Sequence, residues 1–167
     1  QLADQSIRLI VVDNDSTDDT LDLLKRHRDV IVVGSGTNLG YAGGINLARR
    51  QTGDTDAVLV MNPDLELADG AIRALRLCLD ETSAGVVVPR LLNSDGSLYM
   101  SLRREPTSLR ALGDALFGRR LGGRPAALSE IDMNERSYEY RHAIEWATGA
   151  ALLIDAVPAS VPVIAFL

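Results

Sequence analysis

The chain has 167 residues and a formal charge of −6, enough for one domain with a sizeable core, and the negative balance speaks against nucleic acid as a partner held by a global positive field. Apolar residues make up 46% and aromatic residues only 4%, so the core must be built from Leu, Val, Ile and Ala. One cysteine, Cys78, excludes an intrachain disulfide and fits a reducing compartment, and no run of about 18 apolar residues marks a membrane span.

Residues 7–12 read as a strand that runs into Asp13-Asn14-Asp15-Ser16-Thr17-Asp18-Asp19-Thr20. Ser16 with Asp19 resembles a capping box and predicts a helix from there to about Arg28. Residues 30–33 are the next strand. The glycine-rich loop from Gly34 to Gly40 leads into a helix from about Tyr41, closed by Gly53 as its C′ glycine. Residues 57–61 are apolar without alternation, as in a buried parallel strand. The strand must stop at Asn62-Pro63-Asp64, because Pro63 has no N–H for a sheet ladder. A helix from 68 to about 81 places Ile72, Leu75 and Leu79 on one face and packs Cys78 as a core residue. Strand–helix repeated three times predicts a mainly parallel sheet flanked by helices. Residues 85–88 form a further strand, and Asn93-Ser94-Asp95-Gly96 is a turn between residues 91–92 and 98–100. Residues 108–120 read as an amphipathic helix broken by Gly122-Gly123-Arg124-Pro125. The polar stretch to Arg136 reads as a mobile loop. Residues 138–146 form a strand, and Thr148-Gly149 is a bend before the buried strand 150–154.

Asp13-Asn14, the loop from Asn38 to Asn46, and Asn62-Pro63-Asp64 all fall at or after strand carboxyl ends, where open α/β sheets bind ligands. Carboxylates and amides there can hold a nucleobase, a ribose and a metal-bound diphosphate, while glycines and helix starts admit close approach. Each has a plainer reading: Asp after Pro is a common turn residue. Gly34-Ser35-Gly36 lacks the third glycine of a dinucleotide fingerprint, since Leu39 stands there, and no Walker-type motif occurs. His27 and His142 lack metal-ligand spacing, and there is no Gly-x-Ser-x-Gly elbow.

Four segments in order carry a family resemblance. They are Val11-Val12-Asp13-Asn14-Asp15-Ser16-Thr17-Asp18, Asn38-Leu39-Gly40-Tyr41-Ala42-Gly43-Gly44-Ile45-Asn46, Asn62-Pro63-Asp64 and Trp146-Ala147-Thr148-Gly149-Ala150. Together they resemble the family 2 glycosyltransferases, in particular a rhamnosyltransferase-like branch. The resemblance implies an α/β fold of GT-A type, a mainly parallel Rossmann-like sheet with a small mixed or antiparallel acceptor-side extension. It implies inverting, metal-assisted transfer of a sugar from a nucleoside-diphosphate donor, such as dTDP-rhamnose or a UDP-sugar. The acceptor would be a hydroxyl on a glycan, a lipid-linked carrier or a small molecule, as in cell-wall or polysaccharide biosynthesis.

Carried over by position, Asp13 and Asn14 would touch the base, and Asn38, Gly40, Gly43 and Asn46 would line the nucleotide pocket. Asn62, Trp146, Thr148 and Gly149 would lie near donor sugar and acceptor. Asp64 would hold Mg²⁺ or Mn²⁺ against the diphosphate. Asn62 replaces the first Asp of the family's Asp-x-Asp motif, and Asn14 stands where many relatives have a second Asp. The family's opening Thr-Tyr-Asn-like strand and its downstream acidic pair are not seen. The expectation is therefore one incomplete domain spanning 1–167, with 1–90 as the nucleotide-binding half and 91–167 as a partial acceptor side. No catalytic base is assigned, and the 167-residue chain alone is expected to be inactive. A cytoplasmic location is expected. The basic segment Arg103, Arg104, Arg110, Arg119, Arg120 and Arg124 offers peripheral contact with an anionic membrane face, against a plainer reading as a solvated surface. Two other functions compete: a sugar-1-phosphate nucleotidyltransferase, and a non-catalytic binding module that keeps the fold.

Overall fold

The computed structural model describes residues 7–82, 84–105, 107 and 130–156. The chain forms two compact units: one of residues 1–60, 66–87 and 153–167, the other of residues 61–65 and 88–152. The expected helix 108–120, the break at 122–125 and the end of the chain lie outside the described residues, as do Arg110, Arg119, Arg120 and Arg124 of the basic segment.

In the first unit, β1 (Leu9–Asp13) and β2 (Val30–Gly34) pair in parallel from Leu9↔Val30 to Asp13↔Gly34. Both strands are rich in Val and Ile, whose branched side chains suit a pleated surface. Their pairing ends level, so the loops that follow them start side by side. The crossover helix α1 (Thr20–Leu24) is much shorter than expected. Ser16 does not cap it, because the Ser16 N–H turns back to Asp13 Oδ2 at 3.4 Å. The cap falls to Asp19, without a side-chain bond. Beyond Leu24 the chain tightens into bonds from Arg26 N–H to the Leu23 carbonyl and from His27 N–H to the Leu24 carbonyl.

Helix α2 (Gly40–Arg49) starts where the glycine loop predicts, but it stops before the approach to Gly53. Bonds from Arg50 N–H to the Leu47 carbonyl and from Thr52 N–H to the Arg49 carbonyl tighten its end into 3₁₀-type turns first. The Arg8 guanidinium then donates to the Thr52 carbonyl at 2.8 Å and so ties the exit of α2 to the start of β1. Strand β3 (Ala57–Met61) is the expected apolar run, and α3 (Ala71–Glu81) begins after Gly70, whose φ of 77° makes it the left-handed cap. Leu75 and Leu79, one turn apart, are buried with Leu153 against Ala57, Leu59 and Val87. A Leu→Ala change at such a site costs about 2–5 kcal/mol.

The sheet differs from the expectation. β3 shares a three-stranded sheet, in the order β3-β9-β4, with β4 (Val86–Val87) and β9 (Ala151–Asp155). β4 and β9 are antiparallel, Val86↔Ile154 and Val87↔Leu153. The repeated strand–helix pattern predicted parallel neighbours, but the central strand, β9, starts 64 residues after the end of β4 and 90 after the end of β3. Sequence adjacency could not place it.

In the second unit, β5 (Leu91–Leu92) and β6 (Leu98–Tyr99) form the expected hairpin, closed by the turn bond from Gly96 N–H to the Asn93 carbonyl. β7 (Leu102–Arg103) pairs antiparallel with β8 (Trp146–Ala147). Of the expected 138–146 strand only Trp146 is extended in a ladder, and the ladder continues into Ala147. Before them lies a 3₁₀ turn, Glu135–Tyr138. The reason is Tyr138: its buried hydroxyl accepts the Leu102 N–H at 3.0 Å and donates to the Asp132 carbonyl at 2.9 Å, which a strand there would not allow. Residues 130–135, the described part of the stretch expected to be a mobile loop, are likewise pinned, by Arg104 N–H to the Glu130 carbonyl and Asp132 N–H to the Leu102 carbonyl. No helix among the described residues is long and apolar enough to cross a membrane.

Candidate functional site

Asp13 ends β1 and is only 4% exposed. Its carbonyl accepts the Ser35 N–H from the loop after β2 at 2.9 Å. Its side chain uses Oδ2 for the long bond from Ser16, while Oδ1 is buried without a partner among the described residues. A buried carboxylate with one oxygen unmatched is costly, so it asks for a reason beyond folding. Asp15 sits at φ 71°, in the left-handed region that few non-glycine residues adopt. The chain therefore turns sharply just after Asp13-Asn14.

Level strand ends bring Asn14 to Asn38. Asn14 Oδ1 accepts the Leu39 N–H at 2.8 Å, and Asn14 Nδ2 donates to Asn38 Oδ1 at 3.0 Å and to the Gly40 carbonyl at 3.4 Å. Asn38 Oδ1 also accepts the Gly40 N–H at 2.9 Å. The two asparagines thus occupy the backbone groups at the entry of α2, which has no side-chain cap at Leu39 itself. Gly40 adopts φ 69°, which favours glycine. A Cβ on Gly43 would lie 2.6 Å from that of Leu39, so the first turn of α2 closes only over glycine. Asn46 stands apart from this cluster, roughly 9 Å along the helix from Gly40. With Arg49 and Arg50 it lines an open hollow of ≈ 490 Å³.

The second unit gathers the other two motifs. Met61 hands over to Asn62, whose N–H donates to the Ala150 carbonyl at 2.9 Å, and the Asn62 carbonyl accepts the Leu65 N–H across the Pro63-Asp64 turn. The Asn62-Pro63-Asp64 turn is therefore fastened to the Thr148-Gly149-Ala150 bend. Thr148 N–H donates to the carbonyl of the buried Ser101, and the Thr148 hydroxyl is buried without a partner among the described residues. Trp146 is half-buried opposite Arg103. Asp64 is exposed, with no hydrogen bond or ion pair among the described residues. Among those residues no three His, Cys, Asp or Glu side chains cluster as a metal cage. A lone free carboxylate fits a cation that takes its remaining oxygens from phosphate and water, as Mg²⁺ commonly does. Glu145 is exposed, and its Oε2 accepts the Glu105 N–H at 2.6 Å.

Two features escape a reading of motifs. The first is the asparagine clasp: Asn14 and Asn38 are 24 residues apart, and only the β1–β2 register makes them neighbours. The second is the pair Arg49 and Arg50, which in sequence look like ordinary basic residues near a helix end.

Polar side chains at the ends of paired strands, backed by a glycine-started helix, are the arrangement at which α/β domains bind ligands. The model of the family described as "Glycosyl transferase family 2" matches residues 1–133. The chain belongs to this glycosyltransferase family, which implies a GT-A fold. Among curated proteins it is similar to N-acetylglucosaminyl-diphospho-decaprenol L-rhamnosyltransferase of Mycobacterium tuberculosis, at 30% identity over 166 residues, covering 90% of this chain and 52% of that protein. It is also similar to the low-salt glycan biosynthesis hexosyltransferase Agl10 of Haloferax volcanii, at 36% identity over 108 residues, 62% of this chain and 35% of that protein. The chain thus spans about half the length, or less, of these relatives. No solved structure gives a significant match.

Proposed function

We propose that this chain is part of a glycosyltransferase that moves a sugar from a nucleoside-diphosphate donor to an acceptor hydroxyl. One observation carries the reading: the family match runs through Asp13, Asn14, Asn38, Gly40, Gly43, Asn46, Asn62 and Asp64. In this reading Asp13 supplies the carboxylate oxygen that meets the base, at the first unit's strand end. Asn14, Asn38, Gly40, Gly43 and Asn46 shape the nucleotide pocket. In the second unit, Asn62, Trp146, Thr148 and Gly149 shape the donor-sugar and acceptor end.

Asp64 would hold Mg²⁺ or Mn²⁺, which when bound offsets the negative charge of the departing diphosphate. The exposed, unpaired carboxylate supports that role. Transfer would be inverting, by in-line displacement, with the acceptor proton taken by a base that no residue of this chain is assigned to be. A rhamnose donor and a lipid-linked acceptor follow from the name of the mycobacterial relative. dTDP-rhamnose is then the first donor to try and a UDP-sugar the second. A lipid-linked acceptor places the protein at the cytoplasmic face of a membrane, touching it peripherally.

A thermal-shift panel of UDP, dTDP and GDP, with and without Mn²⁺, tests the reading. A pyrimidine diphosphate should raise the melting temperature in a metal-dependent way, as ligand linkage requires. If none of the three changes the melting temperature, the reading fails.

A further inference from the structure

We propose that Asn14 is a positioning residue: it holds the loop that carries Asn38 and the start of α2, and it does not itself read the base. This rests on the nucleotide-binding reading above and changes the division of labour within it. A side-chain amide has two N–H donors and an oxygen with two lone pairs. In Asn14 both donors are directed into the protein, to Asn38 Oδ1 and the Gly40 carbonyl, and the oxygen takes the Leu39 N–H. The backbone partners fix the orientation of the amide, since a flipped group would set Nδ2 against the Leu39 N–H. Nothing but one lone pair is left to meet a ligand.

Asn38 is the complementary case. Its Oδ1 is filled by Asn14 Nδ2 and the Gly40 N–H, while its Nδ2 has no partner among the described residues. Asp13 Oδ1 and Asn38 Nδ2 are thus two uncommitted polar groups at this strand end. Asn14 sets where the second of them stands. The left-handed Asp15 that follows turns the chain away, which fits a residue placed to reach sideways to the neighbouring loop. Aspartate at position 14 would not serve equally, because its second oxygen would face two acceptors, Asn38 Oδ1 and the Gly40 carbonyl.

The test uses the intact protein and its Asn14→Ala, Asn14→Asp, Asn38→Ala and Asn14→Ala/Asn38→Ala variants. Affinities for UDP, dTDP and GDP are measured by calorimetry with Mn²⁺. Melting temperature and amide exchange at Leu39 report on the fold and the clasp, and Asn14→Asp serves should the alanine variant not fold. Every Asn14 variant should weaken UDP and dTDP by the same factor, roughly tenfold for a lost hydrogen-bonded clasp. The double variant should bind no worse than the weaker single, since both changes break one unit. Leu39 exchange should quicken in the Asn14→Ala variant while the melting temperature holds. A change of base preference in the Asn14 variants that Asn38→Ala does not share would overturn the inference and leave the nucleotide reading standing. Unchanged affinity in Asn14→Ala would do the same. Wild-type protein that binds no nucleoside diphosphate would overturn both.

Discussion

Two polar networks, one in each unit, use similar groups to different ends. Around Asp132 the groups match one another. The Tyr138 hydroxyl bridges the Leu102 N–H and the Asp132 carbonyl, and the Asp132 carboxylate meets Arg104 at 3.1 Å. Around Asp13 the sums do not close. The clasp of Asn14 and Asn38 is well satisfied, yet it surrounds a buried carboxylate whose Oδ1 has no partner, beside a left-handed Asp15. A closed network serves the fold alone. An open one, kept at a strand end despite its cost, is what a binding site looks like before its ligand arrives.

The contrast implies that variants should separate function from stability. The largest effect is expected at Asp64, whose exposed carboxylate does nothing for the fold. Asp64→Ala in the intact protein should leave the melting temperature in place and lower kcat by roughly a thousandfold or more, the scale of several kcal/mol of leaving-group stabilisation. A steady-state assay with full activity would remove Asp64 from the machinery.

Asp13 and Tyr138 should then move in opposite senses. Asp13→Asn replaces a buried, half-matched charge with a neutral amide, so unfolding by denaturant should need as much denaturant or more. Pyrimidine nucleotide affinity should fall by roughly 30-fold or more, as expected for losing a charged hydrogen bond. Tyr138→Phe should do the reverse. It leaves the Leu102 N–H unmatched at a cost of about 1–3 kcal/mol in stability, with nucleotide affinity unchanged. If both variants lose stability and binding together, the distinction between open and closed networks is wrong.

The strands β1, β2 and β3, the hairpin around Asn93–Gly96 and the Leu75–Leu79 face of α3 were legible because short-range patterns determine them: apolar runs, turn residues and helical spacing. The central place of β9 was not, since its partners are set by non-local pairing. Nor was the length of α1, because Asp13 takes the Ser16 N–H that a capping box would give to the Asp19 carboxylate. At the candidate site the strand-end positions were legible and the hydrogen bonds that join them were not. Asn14 and Asp13 look alike as neighbours in sequence, yet one is spent on the loop and the other is left open. The 3₁₀ turn at Glu135–Tyr138 was missed for a related reason: a single tyrosine hydroxyl reaching back to Leu102 outweighs the strand preference of the aromatic stretch.

The smallest expected effect is the pH dependence of the closed network. Burial alone would raise the Asp132 carboxyl. The Asn134 N–H, the Ser137 hydroxyl and the Arg104 charge together outweigh it and hold the group below its ordinary value of 3.8. The folded protein therefore releases this proton more readily than the unfolded chain. The resulting stability is present in full above the ordinary value and is lost as pH falls from about 4 through the folded pKa. Asp132→Asn removes the titration along with the ion pair. Denaturant midpoints for the two proteins should differ at pH 7 and draw together below about pH 4. Arg104 is partly exposed, so added salt should shrink the gap at pH 7 without closing it. A gap that stays constant from pH 7 to pH 3 would mean that Asp132 acts through its backbone carbonyl and N–H alone. The closed network would then be held by Tyr138 without the charge.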